Sequence, residues 1–351
     1  MGSWNRRRFI AAAAVAGAGG LALALRPPDR GANHTRYYLR LGRALDEAGL
    51  ARPTLVIDQR RLFANADVLH HRLRGRYDYR VVAKSLPSLP LLEAVMKRTD
   101  TRRLMVFHQP FLNLVAEELP RTDVLLGKPM PVAAAARFYD QHIERSFEPA
   151  RQLQWLIDSA VRLRQYRELA TQRQLPMRIN LEIDVGLHRG GLRTLEELAE
   201  VLQLIEGDPL LSFSGFMGYE PHVVKMPGII GGPSRAFEKA QSQYRRFVDA
   251  AEKQLGRSIA DLTLNAAGSP TYQLYDSDEP ANELAAGSAL VKPTDFDLET
   301  LADHQPAAFI ATPVIKALDT TKVPGLEPLA GAMAWLNPNR RRAFFIYGGY
   351  W

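Results

Sequence analysis

No cysteine occurs among the 351 residues. That absence excludes a disulfide framework, thiolate metal ligation and a cysteine nucleophile, whatever compartment the protein occupies. An excess of charge of one sign is lacking too. The formal net charge is +7, but Arg6, Arg7 and Arg8 lie in a first stretch of 25 residues that contains no acid, which leaves +4 for the rest. So small a surplus is a weak basis for nucleic-acid binding, and no nucleic-acid partner is expected. The one long apolar run, ending at Leu25, has about 16 residues, short of the roughly 20 that span a bilayer. A dinucleotide fingerprint is missing as well: Gly17, Gly19 and Gly20 fall inside that run, and Gly186, Gly190 and Gly191 do not have Gly-x-Gly-x-x-Gly spacing. What remains is 46% hydrophobic and 24% charged, an ordinary globular composition with length for one large α/β domain or two smaller ones.

Arg6-Arg7-Arg8-Phe9-Ile10, the uncharged run behind it and the small residues of Ala22-Leu23-Ala24 look like a twin-arginine export signal over residues 1–25. The expected destination is the periplasm, with the membrane touched only through the signal. A buried amphipathic helix is excluded because no polar face appears between Phe9 and Leu25. Residues 26–52 read as an extension before the first domain.

From residue 53 onward, short β-branched or apolar runs alternate with segments of helical period. Expected strands are Thr54–Ile57, Tyr79–Ala83, Leu104–Phe107, Val124–Leu126, Leu153–Ile157, Ile179–Ile183, Phe213–Met217 and Leu262–Leu264. Helices are expected over Arg60–Leu73, Phe111–Glu118, Val132–Ile143, Ser159–Gln172, Thr194–Ile205 and Ser234–Leu255, with Thr194 and Glu197 forming a capping box. About eight such units between residues 53 and 304 fit a (β/α)8 (TIM) barrel, although a doubly wound open sheet has the same alternation. After Leu301 the pattern changes. Residues 305–351 read as the start of a β-rich domain, with strands at Ala308–Ile310, Pro313–Ile315 and Arg342–Tyr347 and a hairpin turn at Asn337-Pro338-Asn339.

Functional groups of a barrel gather at the carboxyl ends of its strands. Lys84 ends the run Arg80-Val81-Val82-Ala83. Such a lysine either closes a strand at the solvent or points into a barrel mouth, where partial desolvation favours a neutral amine able to form a Schiff base. Asp184-Val185-Gly186-Leu187-His188-Arg189-Gly190-Gly191 follows another strand, its glycines allowing close backbone approach and Arg189 supplying a planar donor. Ala266-Ala267-Gly268-Ser269-Pro270-Thr271 and the Glu283–Leu290 segment with Gly287-Ser288 read as two turns that can present amides and hydroxyls to a phosphate; a plain surface turn has the same composition. His108, just after a strand, is a candidate for the mouth, whereas His70, His71 and His142 sit in expected surface helices and no metal site is assigned.

Taken in order, Lys84, the segment Glu182–Gly191, Gly215–His222, and Asn265–Tyr272 followed by Glu283–Ser288 resemble the fold-type III pyridoxal-phosphate enzymes, in particular the D-threonine aldolase and D-serine dehydratase branch related to alanine racemase. The resemblance covers about residues 53 to 350. It implies a cofactor, pyridoxal 5'-phosphate, joined to Lys84 as an aldimine. By the same resemblance Arg189 would face the pyridine nitrogen, Tyr219 and His222 would line the cofactor or substrate side, and Gly268, Ser269, Thr271, Gly287 and Ser288 would hold the phosphate. The implied activity is that of a lyase on a D-amino acid, with an amino-acid racemase or a non-catalytic pyridoxal-phosphate-binding protein as alternatives. Members of the family are commonly homodimers.

Two features depart from the pattern. The aldolases and dehydratases bind a divalent metal through a His and a nearby Cys or Asp late in their β-domain, and the racemases place a tyrosine acid/base there; neither is identifiable before Trp351. A metal would therefore need a fuller carboxyl-terminal domain. The hydrophobic run Phe344-Phe345-Ile346 so close to the end leads to the expectation of a fragment of a longer gene product.

Overall fold

The computed structural model describes residues 34–142, 146–276 and 278–348, together with Gly20 and Leu23. The expected export signal otherwise lies outside the described residues. Contacts divide the chain into two units, one running from Ile57 to Ala308 and the other drawn from both chain ends, up to Val56 and from Phe309.

The first unit is a closed barrel of eight parallel strands: β2 (Asp78–Val82), β3 (Arg103–Val106), β4 (Asp123–Leu126), β5 (Leu153–Ile157), β6 (Met177–Glu182), β7 (Leu211–Met217), β8 (Thr263–Ala266) and β9 (Glu283–Ala286). The barrel closes where β9 pairs with β2, Tyr79 opposite Leu284 and Val81 opposite Ala286. Strands buried on both faces need near-continuous apolar sequence, and Val81, Leu104, Val106, Val124, Leu126, Ile157, Ile179 and Leu181 are all fully buried. Helices return the chain between strands and begin on side-chain caps. Asp58 accepts from the Arg61 amide at 3.1 Å, Ser159 from that of Arg162 at 3.3 Å, and the capping box of Thr194 and Glu197 forms as expected.

Two strand assignments differ from expectation. Thr54–Ile57 is β1, but it stands outside the barrel and pairs with β10 (Ala308–Ala311). The closing strand is instead β9, in a segment that reads as a turn. Its Glu283 disguises it, since a carboxylate at the head of a buried strand breaks the apolar pattern unless a cation meets it inside the barrel. That cation is Arg80.

At the amino end of the barrel the fully buried Arg80 donates from Nε and NH2 to Glu283 at 2.6 and 2.9 Å, and from NH2 to Asp123 Oδ1 at 2.6 Å. Its NH1 donates to the carbonyls of Leu104 and Asp123. Arg103 adds a 2.8 Å pair to Glu283, and Asn265 donates to the same carboxylate at 2.8 Å. Gln154, Asn180 and Thr263 continue the polar layer across β5, β6 and β8. Gly215 lets β7 pass this layer: its φ is +128°, and a Cβ there would sit 2.0 Å from the Thr263 carbonyl oxygen.

In the second unit β11 (Val314–Leu318) pairs antiparallel with β12 (Ala343–Ile346). The Phe344-Phe345-Ile346 run is thus a paired strand. Asn337-Pro338-Asn339 is not a tight hairpin turn; it ends a longer connection containing the helix Ala330–Leu336, and Asn337 Oδ1 accepts from the Asn339 amide. No helix among the described residues is long and apolar enough to cross a membrane.

Candidate active site

The carboxyl ends of β2, β7, β8 and β9 surround a cleft of about 490 Å³, its open mouth included, a size suited to a small organic ligand. Lys84, Arg189, Tyr219, Gly268, Ser269, Gly287 and Ser288 all line it, from segments up to about two hundred residues apart in sequence.

Lys84 lies in the single turn Ala83–Ser85 that follows β2, with Nζ 4.6 Å from the centre of the Phe107 ring. Partial burial, together with the Arg189 and Lys128 cations, holds its ammonium below the ordinary lysine value, so a larger share is the nucleophilic free amine. Arg189 lies over the Tyr219 ring, 4.5 Å from its centre, and donates to Glu182 Oε1 from Nε and NH2 at 3.3 and 3.2 Å. Burial raises the Glu182 carboxyl despite Arg189, and burial likewise raises the Tyr219 phenol, which stays protonated at neutral pH.

The Asp184 loop is organised by its carboxylate. Oδ1 accepts from the Gly186 and His188 amides, and Oδ2 meets His188 Nδ1 at 2.8 Å. Burial pushes the Asp184 carboxyl up, but these hydrogen bonds outweigh it and the net shift is down. Gly186 and Gly191 take φ of +107° and +91° to close the loop.

The two turns meet through Ser269. Its Oγ accepts from the Gly287 amide at 3.1 Å and the Ala289 amide at 2.8 Å. A hydroxyl has two acceptor lone pairs and one donor, so with both lone pairs engaged Ser269 can only donate further. A donor-only hydroxyl lining a cleft asks for an acceptor such as a phosphate oxygen. Ser288 also lines the cleft, its Oγ 3.0 Å from Ser85 Oγ. A Cβ on Gly268 would lie 2.5 Å from the Tyr219 ring and one on Gly287 2.5 Å from the Val82 carbonyl oxygen, so both turns need glycine to hold this cradle. The donor set and the cradle fit a phosphorylated cofactor.

Three expected residues stand elsewhere. Thr271 does not line the cleft: its wholly buried Oγ1 accepts from the Gly268 amide at 3.1 Å and donates to Glu220 Oε1 at 2.6 Å, so it braces the turn from behind. His222 packs against the Asp184 loop, with Nε2 3.2 Å from where a Gly186 Cβ would be and a buried Nδ1 that has no hydrogen-bond partner among the described residues. Burial lowers its pKa, and His188 adds to the effect. His108 caps the helix Gln109–Glu118, its Nδ1 accepting from the Phe111 amide at 3.3 Å. Among the residues lining the cleft, the sequence does not single out Phe107 or Ser85, which carry no motif of their own. Among the described residues, no group of three or more His, Asp or Glu side chains is arranged to hold a metal ion.

The model of the alanine racemase N-terminal domain matches residues 57–295. The chain belongs to that family. It is the family of fold-type III pyridoxal-phosphate enzymes. Among solved structures, an alanine racemase from Bacillus anthracis superposes with a TM-score of 0.60 at 15% identity, over 78% of this chain and 67% of that one. The D-threo-3-hydroxyaspartate dehydratase from Delftia sp. HT23 gives 0.64 at 16% identity, over 77% of this chain and 69% of that one. An alanine racemase of Clostridium difficile 630 gives 0.61 at 13%, over 78% and 68%. No curated protein sequence matches the chain. At such identities the structural likeness supports the alanine racemase N-terminal barrel as the fold and leaves the choice of reaction to the site.

Proposed function

We propose that the protein is a pyridoxal-phosphate-dependent lyase acting on a D-amino acid, of the D-threonine aldolase or D-serine dehydratase type. The observation that carries this reading is Lys84, an amine held below its ordinary pKa at the end of β2, sharing one cleft with Arg189, Tyr219 and the Gly268 and Gly287 turns. Lys84 would attach the cofactor, the Ser269 hydroxyl and the Ser288 turn would receive its phosphate, and Tyr219 backed by Arg189 would form a wall. When bound, pyridoxal phosphate supplies an electron sink for the pair left on the amino-acid Cα when a bond to that carbon breaks. The residues do the rest by placement. Nζ of Lys84 accepts a proton once its amine is free, the aromatic walls of Phe107 and Tyr219 exclude water, and the Arg189–Glu182 pair fixes the guanidinium over the phenol. The preference for a lyase on a D-amino acid rests on the ordered motifs from Lys84 to Ser288, which resemble the aldolase and dehydratase branch.

Protein mixed with pyridoxal phosphate is expected to show an absorption band that borohydride abolishes and that Lys84→Ala lacks. Protein that stays colourless overturns the reading. D-Threonine, D-serine and D-alanine, each with and without Mn²⁺ or Zn²⁺, then separate the reactions. Glycine with acetaldehyde marks an aldolase, pyruvate with ammonia a dehydratase, and L-alanine a racemase; cofactor uptake without any product marks a binding protein. We also propose export to the periplasm, resting on Arg6-Arg7-Arg8 and the run to Leu25; fractionation of cells carrying Arg7→Lys with Arg8→Lys tests it, through retention in the cytoplasm. Association as a homodimer is proposed on the resemblance and read by sedimentation.

A further inference from the structure

Behind the cleft lies a carboxyl group that the proposed chemistry does not use. Glu220 is 1% exposed and directly follows Tyr219 at the end of β7. Its carboxyl accepts from the Thr271 hydroxyl at 2.6 Å; burial pushes it up, against the opposing pull of Thr271, the Ala267 amide and the Tyr275 hydroxyl. Tyr275 in turn accepts from Gln241 Nε2 at 2.9 Å, which leaves its O–H free to point at Glu220. Thr271 is fixed in the same way: its Oγ1 accepts from the Gly268 amide, so its proton goes to Glu220.

The consequence is a clamp across two strands. On the cleft side the Tyr219 ring lies against Gly268, where a Cβ would be only 2.5 Å away. On the far side the next residue, Glu220, ties Thr271, which closes the same turn. The turn needs such a brace, because Ala267 at its start holds φ at +65°, a region costly for a residue with a Cβ. The turn also carries Ser269, whose oxygen meets the Gly287 and Ala289 amides. Both phosphate-side turns are thereby registered to the end of β7.

We propose that Glu220 is a positioning residue whose buried carboxyl, acting through Thr271, holds the Gly268–Thr271 turn in the shape that receives the cofactor phosphate. This rests on the function proposed above and adds a residue to it. A clamp on the phosphate turn affects the phosphate alone, so the test compares pyridoxal phosphate with pyridoxal, which lacks it.

Uptake of the two compounds by the full chain is to be titrated by absorbance and borohydride trapping for wild type, Glu220→Ala, Thr271→Val and Thr271→Ser, with folding checked by circular dichroism. Thr271→Val keeps the shape of the side chain and removes only the hydroxyl, which guards against a Glu220→Ala chain that fails to fold. Glu220→Ala and Thr271→Val are expected to weaken pyridoxal phosphate about tenfold or more while leaving pyridoxal unchanged, and Thr271→Ser to restore the affinity. Folded variants that bind both compounds as wild type does, or lose both equally, overturn the clamp and leave the proposed function standing. Wild-type protein that takes up neither compound overturns both.

Discussion

At the amino end of the barrel Arg80 is wholly buried, and its five N–H groups meet five acceptors on Glu283, Asp123 and Leu104. At the carboxyl end of the same strand Lys84 has no hydrogen bond or ion pair among the described residues, lies against a ring face, and feels two other cations. One cation is saturated and the other left unsatisfied, within five residues of chain. A saturated buried charge holds strands in register but has nothing left to offer a ligand. An unsatisfied one costs stability and keeps its reactivity, the expected trade at a functional site.

The contrast breaks most visibly if its saturated end is opened. Glu283→Ala leaves Arg80 buried beside a lost partner and is expected to cost about 3–5 kcal/mol of unfolding free energy, read from the shift of a urea denaturation midpoint. Arg80→Met combined with Glu283→Leu should recover part of that loss, because the buried pair leaves together while Asp123 keeps Arg178 at 3.4 Å and Arg103 keeps Asp78 at 2.6 Å. A loss below about 1 kcal/mol for Glu283→Ala would mean that water reaches Arg80 and that the two ends do not differ as described.

Ser269→Ala sharpens the comparison by testing a group whose lone pairs are both engaged but whose proton is not, at the otherwise unsatisfied end. It strips the Gly287 and Ala289 amides of their acceptor, and about 1–3 kcal/mol of stability is expected to go with it. The same substitution should weaken pyridoxal phosphate and spare pyridoxal, since the lost hydroxyl is the one that faces the cleft as a donor. Equal loss of both compounds would place Ser269 with the scaffold alone.

What could be read in the sequence divides along the same line. Strands that are apolar throughout, such as Leu104–Phe107 and Val124–Leu126, announce themselves, and residues that follow strand carboxyl ends, Lys84 and Arg189, fall in the cleft as their positions imply. The saturated end stays hidden, because Arg80 and Glu283 look like surface residues until the partner 203 positions away is known. That concealed β9 and let the apolar Thr54–Ile57 stand in for a barrel strand. Thr271 and His222 illustrate a second limit. Membership of a motif says that a side chain is near a site, but only the hydrogen bonds of Thr271 show that it faces Glu220 and not the cleft.

The smallest effect tests the unsatisfied end itself. In the fold Lys84 is held below its ordinary pKa by burial first and then by Arg189 and Lys128, so its protonated form is disfavoured relative to the unfolded chain. Below the folded value both states carry the proton and the fold bears the full penalty. As pH rises through the folded value the native protein sheds the proton while the unfolded chain keeps it, so stability increases until the ordinary value is passed. Lys84→Met removes the charge and keeps the stem, and it should therefore stabilise the cofactor-free protein at neutral pH. Because the side chain is still half open to water, screening limits the gain to under about 1 kcal/mol. That gain should shrink toward zero in urea titrations at rising alkaline pH. A variant less stable than wild type at neutral pH would mean that Lys84 is a satisfied structural cation, and the difference between the two ends of β2 would be lost.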